Sequence, residues 1–138
     1  MIQQINIVVD SEKDEIKGYN NVNVANLEQI TNGYVNNIIC TCIDRISQDQ
    51  RDQTFVSLLR KLSHGGSLTV KFLNPYAICH KIKTGSMDGS DFAKSVNNIK
   101  SSWTEPDFLS ITASVQGYRL VKFHNEDLYS IAVIEKNK

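Results

Sequence analysis

The sequence predicts an α/β domain with a mainly parallel sheet that ends in an antiparallel hairpin. Three observations carry this. The stretch Ser47–Pro75 reads as a helix, a two-glycine turn and a buried strand. Two short β-branched apolar runs, Ile5–Val9 and Asn37–Ile43, precede it and read as further buried strands. After the last helical stretch, Tyr118–His124 and Leu128–Glu135 are joined by the short polar link Asn125-Glu126-Asp127, as in a hairpin.

In chain order, Ile5–Val9 begins the sheet close to the amino terminus. The charged stretch Ser11–Lys17 is expected to be a loop or one exposed helical turn ending at Gly18, and Tyr19–Val24 carries a weaker strand signal. Asn26–Ile30 is expected to be a turn or short helix, and Thr31-Asn32-Gly33 a turn. In the Ser47–Pro75 unit, Ser47 with Gln50 has capping-box spacing. Asp52 lies in the first turn and Arg60 and Lys61 in the last, as the helix dipole favours. Phe55, Leu58, Leu59 and Leu62 form one apolar stripe. Gly65 is expected to cap the helix in a left-handed conformation, with Gly66 turning the chain into the strand Ser67–Leu73 and Asn74-Pro75 stopping it. Helices are then expected over Tyr76–Lys83, over Asp91–Ile99, and from Thr104, which pairs with Asp107 in capping-box spacing and precedes the core-facing Phe108, Ile111, Thr112 and Val115. Gly117 ends the last of them. Trp103, just before it, is expected to pack over the sheet.

Length and composition limit the function classes. A chain of 138 residues, 41% hydrophobic and 22% charged, is expected to form one domain, residues 1–138. Fifteen basic residues balance fifteen acidic ones, so no pull toward nucleic acid or membrane is evident. Without an apolar run of spanning length or a signal-peptide pattern, a cytoplasmic protein is expected. Cys40, Cys42 and Cys79 are an odd set with no disulfide framework. Cys40 and Cys42 lack the C-x-x-C spacing, so buried thiols are expected there rather than a metal site completed by Cys79 and His80. His64, His80 and His124 have no nucleophile motif beside them. Richness in Asn, Ile, Lys and Ser fits an AT-rich genome such as that of a phage.

The passage LLRKLSHGGSLTVKFLNP resembles the "L-x-x-L-x-x-G-G-x-L-x-[IV]" segment of class I S-adenosylmethionine-dependent methyltransferases. The ending GYRLVKF with YSIAVIEK is similar to that family's closing hairpin, and QINIVVD with GYNNVNVANLEQITNGYVNNIICTCIDRI is similar to the upstream half of its small members. The resemblance covers nearly the whole chain. It implies a Rossmann-like, mostly parallel sheet with helices on both faces, a C-terminal antiparallel hairpin and a shortened amino-terminal half. It leaves open whether Tyr19–Val24 is the second or the third strand of that fold.

The residues matching the family's site are altered. The glycine-rich cofactor loop falls on Val8, Val9 and Asp10, where two β-branched residues avoid positive φ and fill space. The acid that accepts the ribose hydroxyls falls on Asn23, an amide with one acceptor oxygen. Thr41 and Asp44 match the site after the central strand, with Asp44 a candidate catalytic acid, and Asn74 and Tyr76 match a substrate-facing edge. The expected function is a degenerate, non-catalytic binding or regulatory module, with S-adenosylmethionine possible as a ligand but absence of a cofactor favoured, and a homo-oligomer or another protein subunit as partner. The alternatives are an active methyltransferase with an atypical pocket, or one completed by a partner subunit, and an unrelated small-ligand enzyme on the same scaffold.

Overall fold

The computed structural model describes residues 4–9, 14–97 and 99–138. Its strands are β1 (Gln4–Val8), β2 (Asn20–Asn23), β3 (Val35–Cys40), β4 (Leu62–Leu73), β5 (Tyr118–Glu126) and β6 (Tyr129–Lys136). The α-helices are α1 (Arg51–Lys61), α2 (Pro75–Lys83), α3 (Gly89–Val96) and α4 (Glu105–Ser114), with 3-10 turns at Val24–Gln29 and Ile43–Arg45. All six strands form one sheet in the order β2-β1-β3-β4-β6-β5. The first four are parallel; β6 runs antiparallel to β4, and β5 to β6. The Rossmann-like sheet and its closing hairpin are therefore present as expected.

β2 pairs directly with β1, from Ile5 opposite Asn20 to Val8 opposite Asn23, which places Tyr19–Val24 at the second-strand position. From β1 the chain moves outward to β2 and then returns past β1 to β3. This reversal makes the gap between β1 and β3 the topological switch point of the sheet.

Alternation along the strands sorts the two faces. Ile5 and Ile7, Ile38 and Cys40, Leu68, Val70 and Phe72, and Ala132 and Ile134 are buried in one cluster with Phe55, Leu58 and Leu59 of α1 and Phe108 and Ile111 of α4. On the opposite face, Leu73 at the end of β4 packs with Ile78 of α2 and Met87, and Val96 of α3 leans on them. Between these points that face carries Ile39, Thr69, Lys71, Ile131 and Val133, all half-buried.

Two local expectations are corrected. α1 begins at Arg51 with Gln50 at its N-cap, so Ser47 is not the cap; its carbonyl accepts the Gln50 N–H in the preceding turn instead. The Gly-Gly pair is not a helix cap either. α1 stops at Lys61 because Leu62 turns extended and pairs with Val35, so Gly65 and Gly66 lie inside β4. Gly65 has φ +78°, and a Cβ on Gly66 would meet the carbonyl oxygens of Ser63, Asn36 and Val35 at 2.9, 3.0 and 3.1 Å. These glycines let β4 bulge where its register with β3 jumps between Val35 and Asn37. Ser63 Oγ donates to Asn36 Oδ1 at 2.5 Å across the same bulge. Thr104 with Asp107 forms the expected capping box on α4. Asn74, expected only to stop the strand, also caps α2, and the helix expected over Asp91–Ile99 starts two residues earlier, capped by Asp88, and ends at Val96.

Candidate functional site

In open α/β sheets, ligands bind outside the carboxyl ends of the strands, at the switch point. Here that place is where β1 and β3 end. Val8 is buried and Val9 is 37% exposed. The Val9 N–H donates to Asp14 Oδ2 at 2.9 Å, and Asp14 also pairs with Arg45, the residue closing the 3-10 turn after β3. The pair is well shielded, with side-chain exposures of 4% for Asp14 and 18% for Arg45. Cys42 donates to the Ile7 carbonyl at 3.4 Å and its sulfur lies 3.8 Å from that of Cys40; both thiols are buried, whereas Cys79 is exposed. Asp10 lies outside the described residues. At the end of β2, Asn23 Oδ1 accepts the Ala25 N–H at 2.9 Å and so caps the 3-10 turn at Val24–Gln29. Beside these groups lies a cavity of about 360 Å³, lined among others by Val9, Val24, Ala25, Arg45 and Lys100.

Thr41 and Asp44 stand one strand further along. Both line a cavity of about 210 Å³ with Arg45, Lys94 and Tyr129. Asp44 is 6% exposed, and its Oδ2 accepts the Leu73 N–H at 2.8 Å. Its carbonyl oxygen accepts from Lys100 N at 2.8 Å and Ser101 N at 3.0 Å. Burial pushes its carboxyl group above the usual carboxylate range, while the Leu73 N–H and the nearby Arg45 charge pull the other way without prevailing. Asp44 thus ties the ends of β3 and β4 together and anchors the chain leading to α4.

Asn74 and Tyr76 line a third space, a cleft of about 280 Å³ at the end of β4, together with Phe72, Phe123, Glu105 and Pro106. Asn74 uses its whole amide. Its Oδ1 accepts from Tyr76 N at 2.9 Å and Ala77 N at 3.3 Å, and its Nδ2 donates to Asn125 Oδ1 at 3.2 Å and Ser130 Oγ at 3.0 Å. Ser130 closes the triangle by donating to Asn125 Oδ1 at 2.6 Å. The sequence reading missed Asn125, Ser130, Phe123 and Glu105. The hairpin's period of two could have found the first three, because the register pairs Asn125 with Ser130 and Phe123 with Ala132 on the face that packs on α1 and α4.

The structure therefore gathers Val9, Thr41, Asp44, Asn74 and Tyr76 along the sheet's carboxyl edge but distributes them over three separate cavities. Among the described residues no three His, Cys, Asp or Glu side chains are grouped to hold a metal ion, and no helix is long and apolar enough to cross a membrane.

No protein-family model and no curated protein matches the sequence. Solved structures do match. A SAM-dependent methyltransferase from Anabaena variabilis aligns with 99% of this chain and 77% of its own, at a TM-score of 0.62 and 11% identity. One from Thermotoga maritima, described as a possible histamine N-methyltransferase, aligns with 99% of this chain and 82% of its own, at 0.63 and 12%. A possible exported protein from Bordetella parapertussis aligns with 99% and 54%, at 0.63 and 13%, so the chain spans about half of that protein. Shared topology at such low identity is a statement about architecture, and on that ground the chain has the class I methyltransferase-like fold.

Proposed function

We propose that the domain retains a methyltransferase scaffold while serving as a non-catalytic binding or regulatory module. One observation carries the reading: the Asp14–Arg45 pair and the Asp14–Val9 bond tie the end of β1 to the turn after β3. A cofactor's methionine end needs open backbone N–H groups and free space there. The Val9 N–H is already engaged, two valine side chains stand where glycines would leave room, and the one acceptor oxygen of Asn23 is used on Ala25. S-adenosylmethionine is thus a poor fit to the residues present.

Calorimetric and thermal-shift titration with S-adenosylmethionine and S-adenosylhomocysteine tests this. A ligand at 100 times its dissociation constant adds about 2.7 kcal/mol to stability, a shift of several degrees in melting temperature. No saturable shift at millimolar ligand is expected.

The cavity of about 360 Å³ beside the pair supports a second reading, an active methyltransferase with an atypical pocket or one completed by a partner subunit. A saturable shift would overturn the degenerate cofactor site and favour that reading, and a methyl-transfer assay would then decide whether the site is active.

A further inference from the structure

The cleft at the end of β4 has a chemistry of its own. Its lining combines aromatic surface from the half-buried Phe123 and the exposed Tyr76, backed by the buried Phe72 and Trp103, with one carboxylate, Glu105, and no basic side chain. Most of its other polar groups are spent. Asn74 is fully bonded, Ser130 is engaged with Asn74 and Asn125, and Asn125 Oδ1 accepts twice. Thr104 donates to Asp107 Oδ2 at 2.9 Å, and the Trp103 ring N–H donates to Ser101 at 3.2 Å. Glu105, exposed at the start of α4, pairs with no basic side chain among the described residues. The Nδ2 of Asn125 and the hydroxyl of Tyr76 remain for an oxygen on a ligand.

We infer that this cleft binds a small organic cation, an alkylammonium, with its charge facing Glu105 and its carbon atoms against Phe123 and Tyr76. Aromatic rings attract cations through their quadrupole, and this cluster already does so: the Arg51 guanidinium sits 4.6 Å from the Trp103 ring centroid. Arg51 does not repel a second cation strongly, because Asp107 neutralises it at 3.2 Å. The positive end of α4 opposes a cation, and Glu105 in its first turn offsets that. A volume of about 280 Å³ suits a free small amine rather than a cofactor or a length of peptide. The inference rests on reading the domain as a binding module and names what it binds.

Trp103 is the chain's single tryptophan and lines the cleft, so its fluorescence reports the site. Titrations with n-butylammonium, n-butanol and butyrate compare one shape in three charge states. Butylammonium is expected to saturate and to bind several-fold tighter than butanol, with butyrate weakest, because only the cation gains from the ring faces and from Glu105. Glu105→Gln should weaken butylammonium about three- to tenfold and leave butanol unchanged, with only a small fall in melting temperature from the charge lost at the start of α4. Phe123→Ala should weaken both. Butanol or butyrate binding as tightly as the cation, no saturation at tens of millimolar, or indifference to Glu105→Gln would each overturn the assignment. So would a lysine-bearing peptide that binds far tighter than the free amine. Saturation by S-adenosylmethionine in the separate titration would overturn the degenerate cofactor site while leaving the ammonium result to stand or fall by itself.

Discussion

Where β1 and β3 end, the side chains turn back on their own chain. Asp14 holds both Arg45 and the Val9 amide, Cys42 reaches the Ile7 carbonyl, and Val8 is buried. Where β4 ends and β6 begins, the polar groups also bond one another, but around a cleft rather than across it. Asn74, Asn125 and Ser130 form a closed amide–hydroxyl triangle that leaves the half-buried Phe123 and the exposed Tyr76 reachable. Both stretches lie on the carboxyl edge of one sheet, the place where α/β folds keep ligands. Satisfied hydrogen bonds are common to both ends. At the first they tie β1 to the turn after β3 beside a cavity of about 360 Å³, and at the second they rim a cleft of about 280 Å³ with aromatic residues in its wall.

The largest expected effect lies behind the cleft. Phe108 is fully buried, stacked on Trp103 at 4.9 Å and set against Phe72 and Phe55 at 5.2 and 5.3 Å. Phe108→Ala should cost about 3–5 kcal/mol in urea unfolding, because the cleft wall and the core are one packed cluster. A loss below about 1 kcal/mol would mean that the cleft is a separate and looser layer.

At the closed end, Arg45→Gln removes the guanidinium while Asp14 keeps its bond to Val9. The pair is shielded but Arg45 is not wholly buried, so the expected loss is about 2 kcal/mol, the range of a hydrogen bond to a charged group. On the proposed reading the variant, like the native protein, should not bind S-adenosylmethionine, since Val8, Val9 and Asn23 are unchanged. If it gained saturable binding, the ion pair alone would be what shuts the crevice, and the contrast between the two ends would reduce to one interaction.

The sequence made the sheet, its hairpin, α2 and α4 legible, because each is written locally: Asn74-Pro75 and Thr104 with Asp107 cap helices wherever they occur, and alternation in β4 and β6 marks one buried face. The Gly65-Gly66 turn was misread because the same dipeptide serves as a helix cap or a strand bulge, and only pairing of Leu62 with Val35 decides between them. Gly66→Ala tests that account. With three carbonyl oxygens at 2.9–3.1 Å from the added Cβ, about 1–3 kcal/mol should be lost. A replaceable helix cap would lose far less.

The site was harder to read than the fold. Asp14 and Arg45 lie 31 residues apart in sequence, and nothing local distinguishes Asp14 from its charged neighbours. The positions that match the methyltransferase site were legible as a set on one edge, but their division among three cavities depends on side-chain bonds that form only in the folded sheet.

Asp44, between the two ends, gives the smallest and most discriminating effect. Its carboxyl group is raised above the usual range by burial, so the folded state holds the proton more tightly than the unfolded chain does. The stability it contributes is fully present below the unfolded pKa, about 3.9, and is lost as pH rises through the higher folded value. Asn at this position can still accept the Leu73 N–H but carries no charge to bury. Asp44→Asn should therefore match the native protein near pH 3.5 and equal or exceed it at pH 7, with the difference growing across the window between the two pKa values. Asp44→Ala, which strands the Leu73 N–H, should lose at least about 1 kcal/mol at every pH. The opposite slope for Asp44→Asn, a growing loss toward neutral pH, would show that the folded protein prefers the ionised carboxylate. Asp44 would then belong with the ion-paired end rather than act as a brace between β3 and β4 whose charge burial disfavours.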